Sequence, residues 1–117
     1  MRGTRTILVG ASIALAAGTA AAQVMFMKDA PISFLNRDDA AMMTRNYTQA
    51  LDSLPDGHTS AWTNPKTGHS GTATPLRSMK EKGLACRRLE LTNHAGGQSG
   101  RSEWTLCKTK DGWKVLN

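Results

Sequence analysis

The chain has two cysteines, Cys86 and Cys107, and three histidines, His58, His69 and His94. Such residues can bind zinc, carry electrons or close a disulfide, and their spacing decides among these. A structural zinc site takes four ligands with close pairs such as CxxC, whereas these cysteines are isolated and each histidine stands beside a turn. A redox pair would show CxxC near a helix start, which is absent. Neither GxSxG nor HExxH occurs, so no nucleophile is placed beside a base by motif. Glycoside chemistry needs two carboxylates across a cleft, and Glu81, Glu90 and Glu103 are candidates by type alone. Glu90 and Glu103 face each other in the register derived below, with Arg88 and Arg101 near enough to neutralise them. That is the pattern of a solvated charge ladder on an open sheet. No catalytic residue, metal site or cofactor is expected.

A disulfide is left, and the stretch "CRRLELTNHAGGQSGRSEWTLC" argues for it. Gly96-Gly97 suits a two-residue hairpin loop, since both glycines accept positive φ. Residues facing each other then carry numbers summing to that of the glycine pair. By that count Cys86 faces Cys107, and Leu89 faces Trp104 as a cross-strand apolar pair. Alternation of pair types puts the cysteines in a non-hydrogen-bonded pair, where the strands approach closest. Leu89, Leu91, Trp104 and Leu106 share one side, joined by Trp113 and Val115 through the Asp111-Gly112 turn. This side is expected to face a helix, with the cysteines behind it. Such a staple closes about 20 residues and is worth roughly 3 kcal/mol in the chain-entropy model.

The elements around this hairpin can also be read. "MRGTR", the uncharged "ILVGASIALAAG" and the small residues of "TAAAQ" have the layout of a cleaved signal peptide over 1–22. The apolar run falls short of the roughly 20 residues that span a bilayer, and no lipid-accepting cysteine stands near the cleavage point. No membrane span is expected after cleavage. Removing 22 of the 117 residues leaves 95, and losing Arg2 and Arg5 takes the net charge from +6 to +4. Residues 23–33 read as a tether whose Phe26 and methionines fold back on the core. Residues 34–117 are expected to form one α+β domain, with an N-terminal helix on an antiparallel sheet of about five strands. Asn36 caps the helix, with Asp38 and Asp39 in the first turn. Its apolar stripe comprises Leu35, Met42, Met43, Tyr47, Ala50, Leu51 and Leu54. "HTSAWT" and "HSGTATPLR" make a first hairpin around "NPKTG". Pro75 suggests an edge or strand end, and "SMKEKG" a polar connection.

"ALDSLPDG", then "WTNPKTGHSGTATP" from Trp62 to Pro75, "GLACR" at Gly83–Arg87 and "CKTKDGWK" at Cys107–Lys114 together resemble the C-terminal domain of the bacterial seventeen-kilodalton surface-antigen family. The likeness covers about Ala50 to Asn117. It implies an envelope protein of outer-membrane or surface type without established catalysis. The matching positions, Trp62, Gly68, Gly71, Cys86, Arg87, Cys107, Gly112 and Trp113, take a structural role from it. The chain has neither the lipidated cysteine nor the glycine-rich segment of larger members, so a periplasmic location fits equally.

The function expected is therefore an exported envelope module that binds or scaffolds without doing chemistry. Its partner would be an anionic surface or a protein, met through Arg87, Arg88 and Arg101 on the back of the central hairpin. Nucleic acid is set aside, because no stacking aromatics interleave with the basic residues. One alternative is a small hydrolase or isomerase with a pocket between helix and sheet. Another is a binder or inhibitor that uses a strand edge.

Overall fold

The computed structural model describes residues 31–116. The expected signal peptide and most of the expected tether lie outside the described residues. Helix α1 spans Arg37–Ser53 and opens on a reciprocal capping box. The Asn36 side chain accepts from the Asp39 N–H at 2.8 Å, and the Asp39 carboxylate accepts from the Asn36 N–H at 2.9 Å. Leu54 takes an extended conformation, and Pro55 follows it as a stop.

The rest is an antiparallel meander. Strands β1 (Ser60–Thr63), β2 (Ser70–Glu81), β3 (Leu84–Ala95), β4 (Gln98–Thr109) and β5 (Gly112–Val115) lie in chain order across one sheet. The α+β expectation holds, with one α-helix and five strands among the described residues. The β3–β4 register runs unbroken from Ala95 opposite Gln98 to Cys86 opposite Cys107, as the glycine-pair count required.

One reading of the first hairpin is corrected and one is refined. "SMKEKG" is no connection: β2 continues through Glu81, and the chain reverses at Lys82 (φ 52°) and Gly83 (φ 79°). Pro75 has a strand neighbour on one side only, since the β1–β2 pairing ends at Ala73, so the edge reading holds there locally. The residue is buried in the second of five strands, at a bulge between Pro75 and Arg77 just past the end of β1. A bulge tolerates a residue without an N–H.

α1 packs mainly across β1 and β2. It lays Ala50 and Leu51 on Ala73, Leu89, Leu91 and Leu106, flanked by Tyr47, Leu54 and Trp113. Each fully buried leucine contributes about 2 kcal/mol of transfer free energy, so this small core gains from a cross-link. The expected apolar side is the core side, but the helix does not reach across all of it. Trp104 remains 44% exposed and Val115 49%. The last tether positions also belong to the fold. Pro31–Phe34 form a 3-10 turn whose buried Pro31 lies against Gly100 and whose Phe34 ring lies over Gly96.

Candidate functional site

The cysteines are joined, with S–S 2.06 Å, and both sulfurs lie on the face turned away from α1. On the same face Arg88 Nε donates to Glu103 at 3.2 Å and Arg101 donates to Glu90 at 2.9 Å. The carboxylates that face each other across β3 and β4 are thus each held by an arginine, as a charge ladder. Arg87 departs from the expected binding face. It follows Leu89 in the alternation of β3 and points to α1. There its guanidinium donates to the carbonyls of Ala50 (3.2 Å), Leu51 (2.8 Å) and Leu54 (2.7 Å), and to Asp56 at 2.6 Å. The last turn of α1 has no basic residue of its own, and Arg87 supplies that charge from the sheet. Arg87, Arg88 and Arg101 therefore do not form one surface.

A second constellation went unrecognised in the sequence. Asp39 is completely buried, and its carboxylate accepts from Asn64 Nδ2 (2.8 Å), Thr67 Oγ1 (2.8 Å) and His69 Nδ1 (2.8 Å) besides the Asn36 N–H. An ionised carboxylate has no proton to give, so His69 Nδ1 carries the hydrogen. Burial on its own pushes Asp39 upward. The hydrogen bonds from Asn36, His69, Thr67 and Asn64 outweigh it and hold the group well below the ordinary carboxylate range. Carboxylate and imidazole are arranged like the orienting half of an acid–base triad. His69 Nε2, however, makes no hydrogen bond among the described residues. What the network does is tie the "NPKTG" loop to the start of α1. The Asn36–Asp39 capping box could be read from the sequence. The three partners from the loop could not, because nothing local links them to Asp39.

The remaining motif residues hold the frame. Trp62 lies over Gly71, where a methyl group would overlap Thr92 O and come within 2.6 Å of Trp62 Nε1. Gly68 (φ 78°) and Gly112 (φ 103°) occupy turn positions that favour glycine. Trp113 Nε1 donates to Asp52 at 2.8 Å, and Lys108 Nζ reaches the same oxygen at 2.9 Å from above the Trp113 ring. These bonds hold Asp52 below the ordinary carboxylate range, the indole bond most of all.

Two concavities bear on function. His69 and His94 line one cleft with Gly96 and Gly97, and His94 Nδ1 is 2.7 Å from Ser99 Oγ. Among the described residues no group of three His, Cys, Asp or Glu side chains converges as metal ligands would. The other is a groove of about 180 Å³ on the core side of the sheet. Met43, Tyr47, Leu89, Leu91, Trp104 and Leu106 line it, with Ile32 and Val115 at its rim and Asn93 and Ser102 as polar points. It can hold an apolar group, and its lining contains neither Asp nor His. No helix of the described residues is long and apolar enough to cross a membrane.

Comparison with known proteins gives one consistent result. The family model described as 17 kDa outer membrane surface antigen matches residues 49–114. The 17 kDa surface antigen of Rickettsia bellii is 32% identical over 85 residues, which is 71% of this chain and 54% of that protein. Its counterpart in Rickettsia prowazekii is 30% identical over 84 residues, 70% and 53% of the two chains. That of Rickettsia felis is 28% identical over 85 residues, 71% and 54%. The chain spans about half the length of the curated relatives it matches. No solved structure gives a significant match.

Proposed function

The chain belongs to the 17 kDa outer membrane surface antigen family, and we propose that it is an exported envelope module that scaffolds or binds without catalysing a reaction. One observation carries this reading: the residues that make the family pattern are spent on the frame. Gly71 seats Trp62, Arg87 closes the end of α1, Cys86 and Cys107 cross-link the central hairpin, Gly112 turns the last one, and Trp113 anchors to Asp52. A pattern that encoded chemistry would converge on a cleft with acids and bases displaced toward neutrality. Here Asp39, Asp52 and Asp56 are all held in their ionised form.

The contact with an anionic envelope component, lipid headgroup or protein, is assigned to the sheet face bearing Arg88 and Arg101, of which Arg101 is 67% exposed. Arg87 is withdrawn from it. The test is intact mass under non-reducing conditions on protein from the host's periplasmic and outer-membrane fractions, with protease treatment of whole cells. A chain starting at Gln23 and lighter by two hydrogens, in either fraction, supports export and the closed staple. Cleavage on whole cells would mean display, and protection would mean the periplasm. A full-length chain with free thiols in the cytoplasm would overturn the reading.

A further inference from the structure

The bulge in β2 decides which residue stands opposite Arg88 on the sheet face turned away from α1. In the register that runs from Ser70 to Pro75, Leu76 would face Arg88; beyond the bulge Arg77 does. Bulges beside functional sites re-aim side chains in this way. Like charges set directly opposite are destabilising, so Arg77 occupies a position that the fold alone disfavours. The other like-charge pair on this face, Glu90 and Glu103, is relieved by Arg101 and Arg88. Arg77 has no such relief. It is exposed and makes no hydrogen bond or ion pair among the described residues. Arg88 spends Nε on Glu103 and Nη1 on Thr105, which leaves its Nη2 free. Lys114 is a second exposed, unpaired cation on the same face, opposite Cys107. The disulfide from Cys107 to Cys86 fixes the strands between it and the arginine pair.

We propose that Arg77, with Arg88 Nη2 and Lys114, receives phosphomonoester headgroups at an anionic bilayer surface. The proposal rests on the envelope reading above. It moves the contact from Arg101, which Glu90 already neutralises, to the opposite end of the same face. A guanidinium meets phosphate oxygens as a planar fork, and an ammonium adds a point charge. Two uncompensated cations match the roughly −1.5 to −2 charge of a phosphomonoester better than the single charge of a carboxylate. These cations stand exposed on an open sheet, which suits a group that a surface presents to them.

The test is sedimentation of the isolated protein with phosphatidylcholine vesicles that carry phosphatidic acid or phosphatidylserine, matched in surface charge, at low salt. The expected result is tighter binding to phosphatidic acid. Arg77→Gln and Lys114→Gln should each weaken it about five-fold, and Arg101→Gln less than about two-fold. No binding, or equal binding to both vesicles, overturns the proposal. So does loss in Arg101→Gln with Arg77→Gln unaffected, which would leave the envelope reading in place. Binding of inorganic phosphate alone, with none to vesicles, would mean a free anion and overturns it too. Without lipid, Arg77→Gln should raise the thermal midpoint, since it removes a like-charge pair. A lowered midpoint would make Arg77 structural and overturn the proposal. Failure of the envelope reading shows elsewhere, as protein in the cytoplasm, and does not alter the vesicle result.

Discussion

Asp39 has no exposed surface, yet its carboxylate accepts four hydrogen bonds, from Asn36, Asn64, Thr67 and His69. Replacing it by alanine leaves those donors without an acceptor, and Asp39→Ala should cost about 3 kcal/mol in urea unfolding at neutral pH. The pH dependence has a definite sign. The folded protein keeps Asp39 ionised below its ordinary value of 3.8, whereas the unfolded chain takes up the proton there. The stability this group supplies is thus fully present above that value and is lost as pH falls below it. Asp39→Ala should lack that acid-driven loss, so the two proteins should converge in stability on acidification. Gly71 is constrained by space rather than by φ. Gly71→Ala puts a methyl group against Thr92 O, within 2.6 Å of Trp62 Nε1 and 2.7 Å of Asn93 Oδ1, at about 3 kcal/mol by thermal unfolding. At this scale the sequence is readable where partners are neighbours, as in the Asn36–Asp39 box. It is silent where a buried carboxylate is satisfied by a loop 25 to 30 residues away.

The β3–β4 hairpin was legible because two glycines fix its turn, and every later pair then follows by counting. Removing its staple in Cys86→Ala/Cys107→Ala should lower stability by about 3 kcal/mol and leave the strand content unchanged, as chemical denaturation and circular dichroism would show. The same count places Arg87 with Leu89 on the helix side. Its charge pointed instead to solvent, because the need it meets, a helix end without a cation, belongs to another element. Two carbonyls of α1, of Ala50 and Leu51, and that of its C-cap Leu54 depend on that guanidinium. Arg87→Ala should cost about 2 kcal/mol and speed amide exchange in the last turn of α1. Arg87→Lys should not restore protection, since an ammonium cannot span the carbonyls as a planar fork does. Strand β2 was misread for a different reason. The bulge between Pro75 and Arg77 shifts its alternation, and the residues beyond it are polar apart from Met79, so the period-2 signal disappears.

For the molecule as a whole, the family match begins at residue 49, inside α1, while the described fold begins at Pro31. The two boundaries make different claims about what folds. Residues 49–114 keep the disulfide and all of the sheet but Val115, the last residue of β5, and only the last turn or so of a 17-residue helix. A remnant of that length is not helical by itself, since nucleation alone costs more than so few bonds return. Its loss strips Asp39 from Asn64, Thr67 and His69, removes the Asn46 contacts with Ser60, and takes Tyr47 from the core. One sheet face would then be bare, and a single sheet with no layer on it has no core to bury. A chain of residues 31–117 should show one cooperative thermal transition and dispersed amide resonances, whereas residues 49–114 should show neither. Should the shorter chain melt cooperatively, the staple and sheet alone would be the folding unit, and α1 an accessory to it. If only the longer chain folds, the segment that sequence comparison detects is the part of the frame with the most recognisable turns, and the unit that must fold intact includes the helix before it.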